Sequence, residues 1–326
     1  MKPAYIHMAV WALLVLACAQ PRPSSTSSEP IASDTTKATA RYTWTSLRDS
    51  AEWKKNYNFQ MFNVRDTLWV FHPDGTWHSI DGVNWRKSAL PNAINNLAFL
   101  DYIPFQNAIY GLGYFQGNIE QFTYQPKIFR TTNLKTWVVL SEKSNLPARF
   151  FYHPFVFQNK LWIIGGEDKT KKYNDIWNSV DGIQWVKQKE NLPFGERSGS
   201  QVVQLKDKLF LLDNDVWSST DGLNWQQETT ELVKGETIFG YAAVVMDEKI
   251  WLLGCNRNGQ FSSQVLVSDD GKNWRGEDAP WSPRGGVAAA VYHEKIFMTG
   301  GKYGGTPNHP DFRYSNDVWA LQKSSP

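Results

Sequence analysis

Three arginines stand at one position of a repeat. Arg149, Arg197 and Arg284 each precede an aromatic residue by 13 positions, the aromatics being Trp162, Phe210 and Phe297. A guanidinium offers a rigid fork of N–H donors that grips a carboxylate or phosphate through two hydrogen bonds. Three such forks converging would make an anion site. The same position in the other copies of the repeat holds Asn56, Leu97 and Ile238. Glu196, beside Arg197, marks the other possibility, in which each arginine pairs with a loop carboxylate and holds the chain together. Two long segments carry Tyr114, Phe115, Phe122 and Tyr124, and Tyr303, Phe312 and Tyr314. Rings of this kind give a sugar or peptide contact area at little entropic cost, or pack down and shield the surface beneath. The expected ligand contacts are Arg149, Arg197, Arg284, Tyr114, Tyr124, Tyr303 and Tyr314, acting on an anionic saccharide or an acidic protein segment. Glu196 as an acid and Tyr303 as a nucleophile are the catalytic candidates on the same surface.

Other chemistries find little support. His72, His78, His153, His293 and His309 are scattered without the paired spacing that holds zinc or copper. Neither a Gly-x-Ser-x-Gly elbow nor a phosphate-binding glycine loop occurs. No metal or cofactor is expected. The two cysteines, Cys18 and Cys255, form no disulfide framework, and Cys255 reads as a buried filler at a strand end. With 34 Lys plus Arg against 32 Asp plus Glu, the net charge of +2 is too balanced to neutralise a phosphate backbone, so nucleic acid is excluded as a partner.

The elements that would position these residues follow from repetition. A polar turn followed by an aliphatic and an aromatic residue occurs six times, the aromatic being Trp69, Tyr110, Trp162, Phe210, Trp251 and Phe297. A second pattern, of the type Asp181-Gly-Ile-Gln-Trp185, ends at Trp85, Trp137, Trp185, Trp225 and Trp274, at intervals of 40 to 52 residues. Another large apolar residue lies eight positions before each of these: Trp77, Phe129, Trp177, Trp217 and Leu266. Asp-Gly between two apolar positions reads as a tight hairpin with a type I′ turn. Each repeat then holds two hairpins, and four-stranded units of this length are β-propeller blades.

The expected fold is all-β, a six-bladed propeller of four-stranded antiparallel blades. The sixth unit lacks its last strand, because the partner of Trp319 would fall at position 327, one past the end. Counting 25 back from Trp69, the spacing that separates Trp85 from Tyr110, reaches Trp44. An N-terminal strand around Trp44 is therefore expected to close the ring and hide both open edges. In such a ring the approaches to the first strands share a face with the connections between second and third strands. That face carries the three arginines. The connections are uneven: 8 and 7 residues separate the markers in the first and fourth repeats, but 19 and 22 in the second and sixth.

Gly165-Gly166 and Gly300-Gly301, the third strands Asn174-Asp-Ile-Trp177 and Asn316-Asp-Val-Trp319, and the late Trp of each unit resemble Kelch-type propellers, the galactose-oxidase central-domain class. The resemblance spans residues 40–326. It implies that Arg149, Arg197 and Arg284 lie near the central channel mouth. The double glycine is altered elsewhere, to Gly254-Cys255, Gly111-Leu-Gly113 and Leu212-Asp213, so the member is divergent. Cys255 and His153 do not reproduce the copper-oxidase spacing. Segments such as Ser179 to Trp185 also look like the Asp-box of sialidase-like propellers, one residue short. A sialidase-like hydrolase or a sugar mutarotase is accordingly the enzyme alternative to a binding module, with a structural subunit of an envelope complex as the third.

The first 17 residues read as a signal peptide, with Lys2 before an apolar run from Met8 to Ala17. Val15-Leu16-Ala17-Cys18 resembles the lipobox of bacterial lipoproteins, which implies lipidation of Cys18 and anchorage in the cell envelope. The absence of Asp after Cys18 fits delivery to an outer membrane. Residues 18–39, rich in Ser, Thr and Pro, read as a disordered tether.

Overall fold

The computed structural model describes residues 41–57, 59–91, 100–117, 122–306 and 309–324. The signal segment, Cys18, the tether and Leu97 lie outside them. Among the described residues there are six four-stranded antiparallel sheets. The first holds β2 (Gln60–Asn63), β3 (Leu68–His72), β4 (Gly75–Ser79) and β5 (Arg86–Lys87). The second holds β6 (Asp101–Phe105), β7 (Ala108–Gly117), β8 (Phe122–Thr131) and β9 (Val138–Ser141), and the third β10 (His153–Phe157), β11 (Lys160–Ile164), β12 (Asp175–Ser179) and β13 (Val186–Glu190). The fourth runs β14 (Gln201–Leu205), β15 (Lys208–Leu212), β16 (Val216–Ser219), β17 (Gln226–Thr229). A small sheet of β18 (Ile238–Phe239), β21 (Asn256–Arg257) and β22 (Gln260–Phe261) caps the fifth, which is β19 (Ala242–Met246), β20 (Lys249–Leu253), β23 (Val265–Ser268) and β24 (Arg275–Glu277). The sixth combines β25 (Ala288–Tyr292), β26 (Lys295–Thr299), β29 (Val318–Lys323) and β1 (Tyr42–Arg48), with the hairpin β27 (Lys302–Thr306) and β28 (His309–Tyr314) above it. β1 pairs with β29 and places Trp44 opposite Leu321, so the first described strand completes the last sheet.

Successive first strands pack on one another around a common centre. The ring closes between the first and second sheets, where the Gln60 carboxamide accepts the Tyr102 N–H at 2.8 Å. This is a β-propeller. Its core is divided into clusters between neighbouring blades, because side chains on a strand alternate between two faces and both faces of a blade are covered. In β11, Leu161 and Ile163 pack toward the second blade while Trp162 and Ile164 pack toward the fourth. β15 and β20 repeat the pattern with Leu209 and Leu211 against Phe210 and Leu212, then Ile250 and Leu252 against Trp251 and Leu253.

In several blades the aromatic of the second strand leans on a turn of the next blade, while Trp251 of the fifth packs on Tyr42 of β1 instead. Ideal Cβ atoms added at Gly82, Gly182 and Gly271 would lie 2.0, 3.0 and 2.3 Å from the rings of Phe297, Tyr110 and Phe210. These glycines also have φ of 73°, 78° and 75°, in the left-handed region that side chains disfavour. In the second blade Leu134 takes the glycine's place at φ 56° and packs in the cluster that contains Trp69.

The turn itself differs from expectation. The Asp-Gly segments are not type I′ turns, since only the glycine has positive φ. Ser79 Oγ accepts the Gly82 N–H, Asp81 Oδ1 accepts the N–H groups of Val83 and Asn84, and Trp85 Nε1 donates to Gly82 O. The same network recurs at Ser179, Ser219 and Ser268. Side-chain capping by aspartate thus replaces the second positive φ. The type I′ pairs sit instead between first and second strands, as at Gln106-Asn107 (47° and 60°) and Gln158-Asn159 (48° and 55°).

Gly82→Ala or Gly271→Ala should lower unfolding stability by about 2–4 kcal/mol through ring displacement plus backbone strain. Gly199→Ala, at φ 78° with nothing within 4 Å of an added Cβ, should cost only about 1 kcal/mol. Urea unfolding midpoints compare them, and equal losses would show that the aromatic contact adds nothing.

Candidate functional site

Arg149, Arg197 and Arg284 do sit at corresponding places, each just before or within the approach to a first strand, and all three are buried. Their forks are already engaged. Arg149 Nη1 and Nη2 donate to Asp175 Oδ1 and Oδ2 at 2.5 and 3.2 Å, and Nη1 also reaches Gly165 O. Arg284 repeats this with Asp317 at 2.5 and 2.9 Å and with Gly300 O. Arg197 grips Asp215 at 2.9 and 3.4 Å and donates to Phe194 O. On the far side of each carboxylate the Nε1 of Trp177, Trp217 or Trp319 donates at 2.7 to 2.8 Å. Each bracket ties the approach to strand one to the start of strand three in the same blade. Glu196 is exposed and takes no part, Arg197's carboxylate partners being Asp215 and, at 3.9 Å, Asp213. The convergent anion site expected from spacing is therefore replaced by three separate ion pairs, with 2% of Arg149 and of Arg284 accessible to a ligand.

A signal for this lay in the repeats. Asp175, Asp215 and Asp317 each stand two residues before the third-strand Trp, in the same three blades that carry the arginine. Where the arginine is missing, that place holds Gly75, Lys127 or Gln264. The fifth blade rebuilds the link with reversed charges: Arg257 on β21 donates through Nε and Nη2 to both oxygens of Glu236, and through Nη1 to Gln264.

The long connections are mostly structured. In the second blade they continue β7 and β8 past a bulge at Gly113 as a hairpin extension. Tyr114 and Phe115 are buried there, 7% and 5% exposed. Phe115 packs on Tyr124 and Phe150 at 5.2 and 5.4 Å, and the Tyr124 hydroxyl donates to Leu146 O. In the sixth blade Tyr314 stacks on Tyr57 at 5.5 Å, and the buried Lys302 ammonium lies 4.9 Å from the Tyr57 ring and 4.2 Å from that of Phe312. Burial pushes Lys302 down to about 8. Tyr303 remains half-exposed on β27, a different blade from Glu196, so the structure does not bring the two catalytic candidates onto one element. Lys171 and Lys172 in the third-blade connection and Arg313 on β28 are exposed on this face. The buried Cys255 thiol is pushed up to about 11 by burial, with the Arg257 charge opposing.

Sequence reasoning missed the ring of first-strand residues. Gln60, Asp101, His153, Gln201, Ala242 and Ala288 are equivalent by register, pairing with Phe71, Leu112, Ile164, Leu212, Leu253 and Thr299. Asp101 and His153, at equivalent places on β6 and β10, are half-buried. Burial pushes the Asp101 carboxyl up to about 7, partly offset by a hydrogen bond with Tyr152. It pushes the His153 imidazole down to about 4, against a hydrogen bond with the Val202 backbone.

The architecture defines the class, a β-propeller. Residues 136–241, about a third of the chain, match the family model described as the DUF6242 beta propeller domain. The solved structure of YjhT superposes with a TM-score of 0.68 at 13% identity, over 85% of this chain and 97% of that one. At that identity the likeness is one of fold. No curated protein matches the chain.

The brackets carry an acid-side signature. Burial works against ionisation of Asp175 and Asp317, but hydrogen bonds and charge from Arg149 and Arg284 outweigh it and hold both carboxyls below their ordinary value. Their stabilisation is present above the unfolded value near 4 and is lost as pH falls through the lower folded value. Arg149→Ala should cost about 3–5 kcal/mol at pH 7 because it strands a buried carboxylate. Chemical denaturation at pH 7 and pH 3 checks this, with the difference between wild type and variant shrinking at the lower pH.

Proposed function

We propose that the chain is a six-bladed, Kelch-type binding module, lipid-anchored through Cys18 to a bacterial envelope by a tether over residues 18–39 behind a 1–17 signal peptide. Its ligand is an anionic saccharide or an acidic protein segment, met on the face of the long second-to-third-strand connections. The observation that carries this reading is the placement of exposed cations on that face. Lys171 and Lys172 stand on the third blade and Arg313 on the sixth, across the ring from one another, with half-exposed Tyr173 and Tyr303 beside them. Opposed cations suit an extended anionic chain better than a single small anion. The arginine brackets serve that face by holding the bases of its connections rigid, which lowers the ordering cost of binding.

Thermal stabilisation of the full chain against neutral and acidic saccharides and an acidic peptide tests the reading, with a Lys171→Ala/Lys172→Ala/Arg313→Ala variant alongside. A midpoint rise of several degrees with acidic ligands only, absent in the variant, is expected. An equal response to neutral and acidic sugars, or none to any ligand, would remove it. Turnover of a bound glycan that vanishes in Glu196→Gln while binding persists would establish the enzyme alternative instead.

A further inference from the structure

At the entry to a first strand the chain turns through a left-handed residue, two places before the equivalent positions His153, Gln201, Ala242 and Ala288. In the fourth, fifth and sixth blades that residue is glycine: Gly199, Gly240 and Gly286 have φ of 78°, 71° and 67°. The third blade has Phe151 there, at φ 55°. A side chain in the left-handed region crowds its own backbone, a strain that glycine escapes, and for a bulky residue the conformation is rare. The backbone uses the turn, since Gly199 N–H donates to Phe151 O at 2.7 Å and Gly286 N–H to Gly240 O at 2.6 Å, joining successive blades at this level. Nothing in that bond calls for a phenyl ring. The ring meets that of Phe150 edge-to-face with centroids 5.1 Å apart, and Phe151 stays half-buried. Its backbone partner Gly199 is exposed, with open space where a Cβ would stand. Strained residues of this kind cluster at ligand sites.

Polar groups gather beside the ring. Glu167, three residues past the end of β11, exchanges N–H···O bonds of 2.9 Å with Phe150 in both directions. Its Oε2 accepts the hydroxyl of Ser198, next to Gly199 in the approach to the fourth blade, at 2.6 Å. Glu167 also bridges to Lys172, so the exposed cations of the third-blade connection adjoin the same group. Glu167 and Ser198 are both half-buried. A carboxylate can accept several hydrogen bonds, and the serine oxygen keeps its lone pairs while it donates. An aromatic ring flanked by such acceptors matches a pyranose, which presents C–H groups on one face and O–H donors at its edge. It matches an acidic peptide poorly, because the peptide's carboxylates meet Glu167 as like charges.

We propose that Phe151 is a stacking platform for one sugar ring, with Glu167 and Ser198 taking its hydroxyl groups, which makes a saccharide rather than an acidic protein segment the ligand of this face. The proposal rests on the reading that the long-connection face binds an anionic chain. Lys171 and Lys172 hold the acid groups of that chain, and Phe151 selects the ring that carries them.

Isothermal titration of the full chain with tetragalacturonic acid, tetraglutamate and neutral maltotetraose tests this. Tetragalacturonate should bind about tenfold tighter than tetraglutamate. Phe151→Gly should remove that preference, lowering tetragalacturonate affinity about tenfold and leaving tetraglutamate unchanged. Its unfolding midpoint should stay near that of the wild type, because relief of the strain offsets the lost ring contact. Phe151→Trp should retain the preference. Equal affinities for the two acidic tetramers, or a preference that survives in Phe151→Gly, overturns the platform and leaves the anionic reading standing. Maltotetraose bound as tightly as tetragalacturonate, and released by Phe151→Gly, supports the platform and removes the anionic reading instead. Binding of none of the three removes both. Should Phe151→Gly fail to fold, Ser198→Ala decides: a several-fold loss confined to the saccharide supports the platform, and unchanged affinities overturn it.

Discussion

The contact between a second-strand aromatic and the turn of the next blade is the constraint on which the rest of this ring depends. Phe297 on Gly82, Tyr110 on Gly182 and Phe210 on Gly271 set how closely neighbouring blades approach. A bulky ring needs a partner without a side chain, so aromatic and glycine must be kept together although they lie in different repeats. Because the core is divided among blade interfaces, no single interface stabilises the molecule alone, and closure by β1 is what gives the sixth blade its full set of neighbours.

A second constraint acts within blades. The arginine, aspartate and tryptophan brackets join the approach to strand one with the start of strand three, the two segments that must converge for a connection to have a defined base. A buried ion pair has a large desolvation cost, and here it is offset by two fork hydrogen bonds, a backbone carbonyl and an indole N–H. What looks in sequence like ligand-binding equipment is framework. The exposed charges above it are the less conspicuous ones, Lys171, Lys172 and Arg313, with half-exposed tyrosines beside them.

Much of the fold was legible because its determinants are periodic. Strands such as Leu161-Trp-Ile-Ile164 announce themselves as buried on both faces, and the missing last strand could be located at Trp44 by counting alone. The site was less legible. Spacing aligned Arg149, Arg197 and Arg284 without saying what lies opposite each fork, and the partners are 26, 18 and 33 residues away. The co-occurrence of Asp with Arg in the same three repeats held that answer, and reading each position separately hides it. Tyr114 was hard to place for a different reason: a connection of 19 residues between markers is a loop by length, but here it extends β7 and β8 and buries that ring.

By itself, the sequence determined the four-stranded repeat, the alternation of faces within each strand and the place of the strand around Trp44 that pairs with the last sheet, because these rest on spacing along the chain. Only the tertiary structure decided which charges neutralise one another and which aromatics are covered. Those outcomes turn on distances and burial between residues far apart in the chain. Desolvation, which moves Asp101 up while the brackets hold Asp175 and Asp317 down, acts on an environment that no single repeat contains.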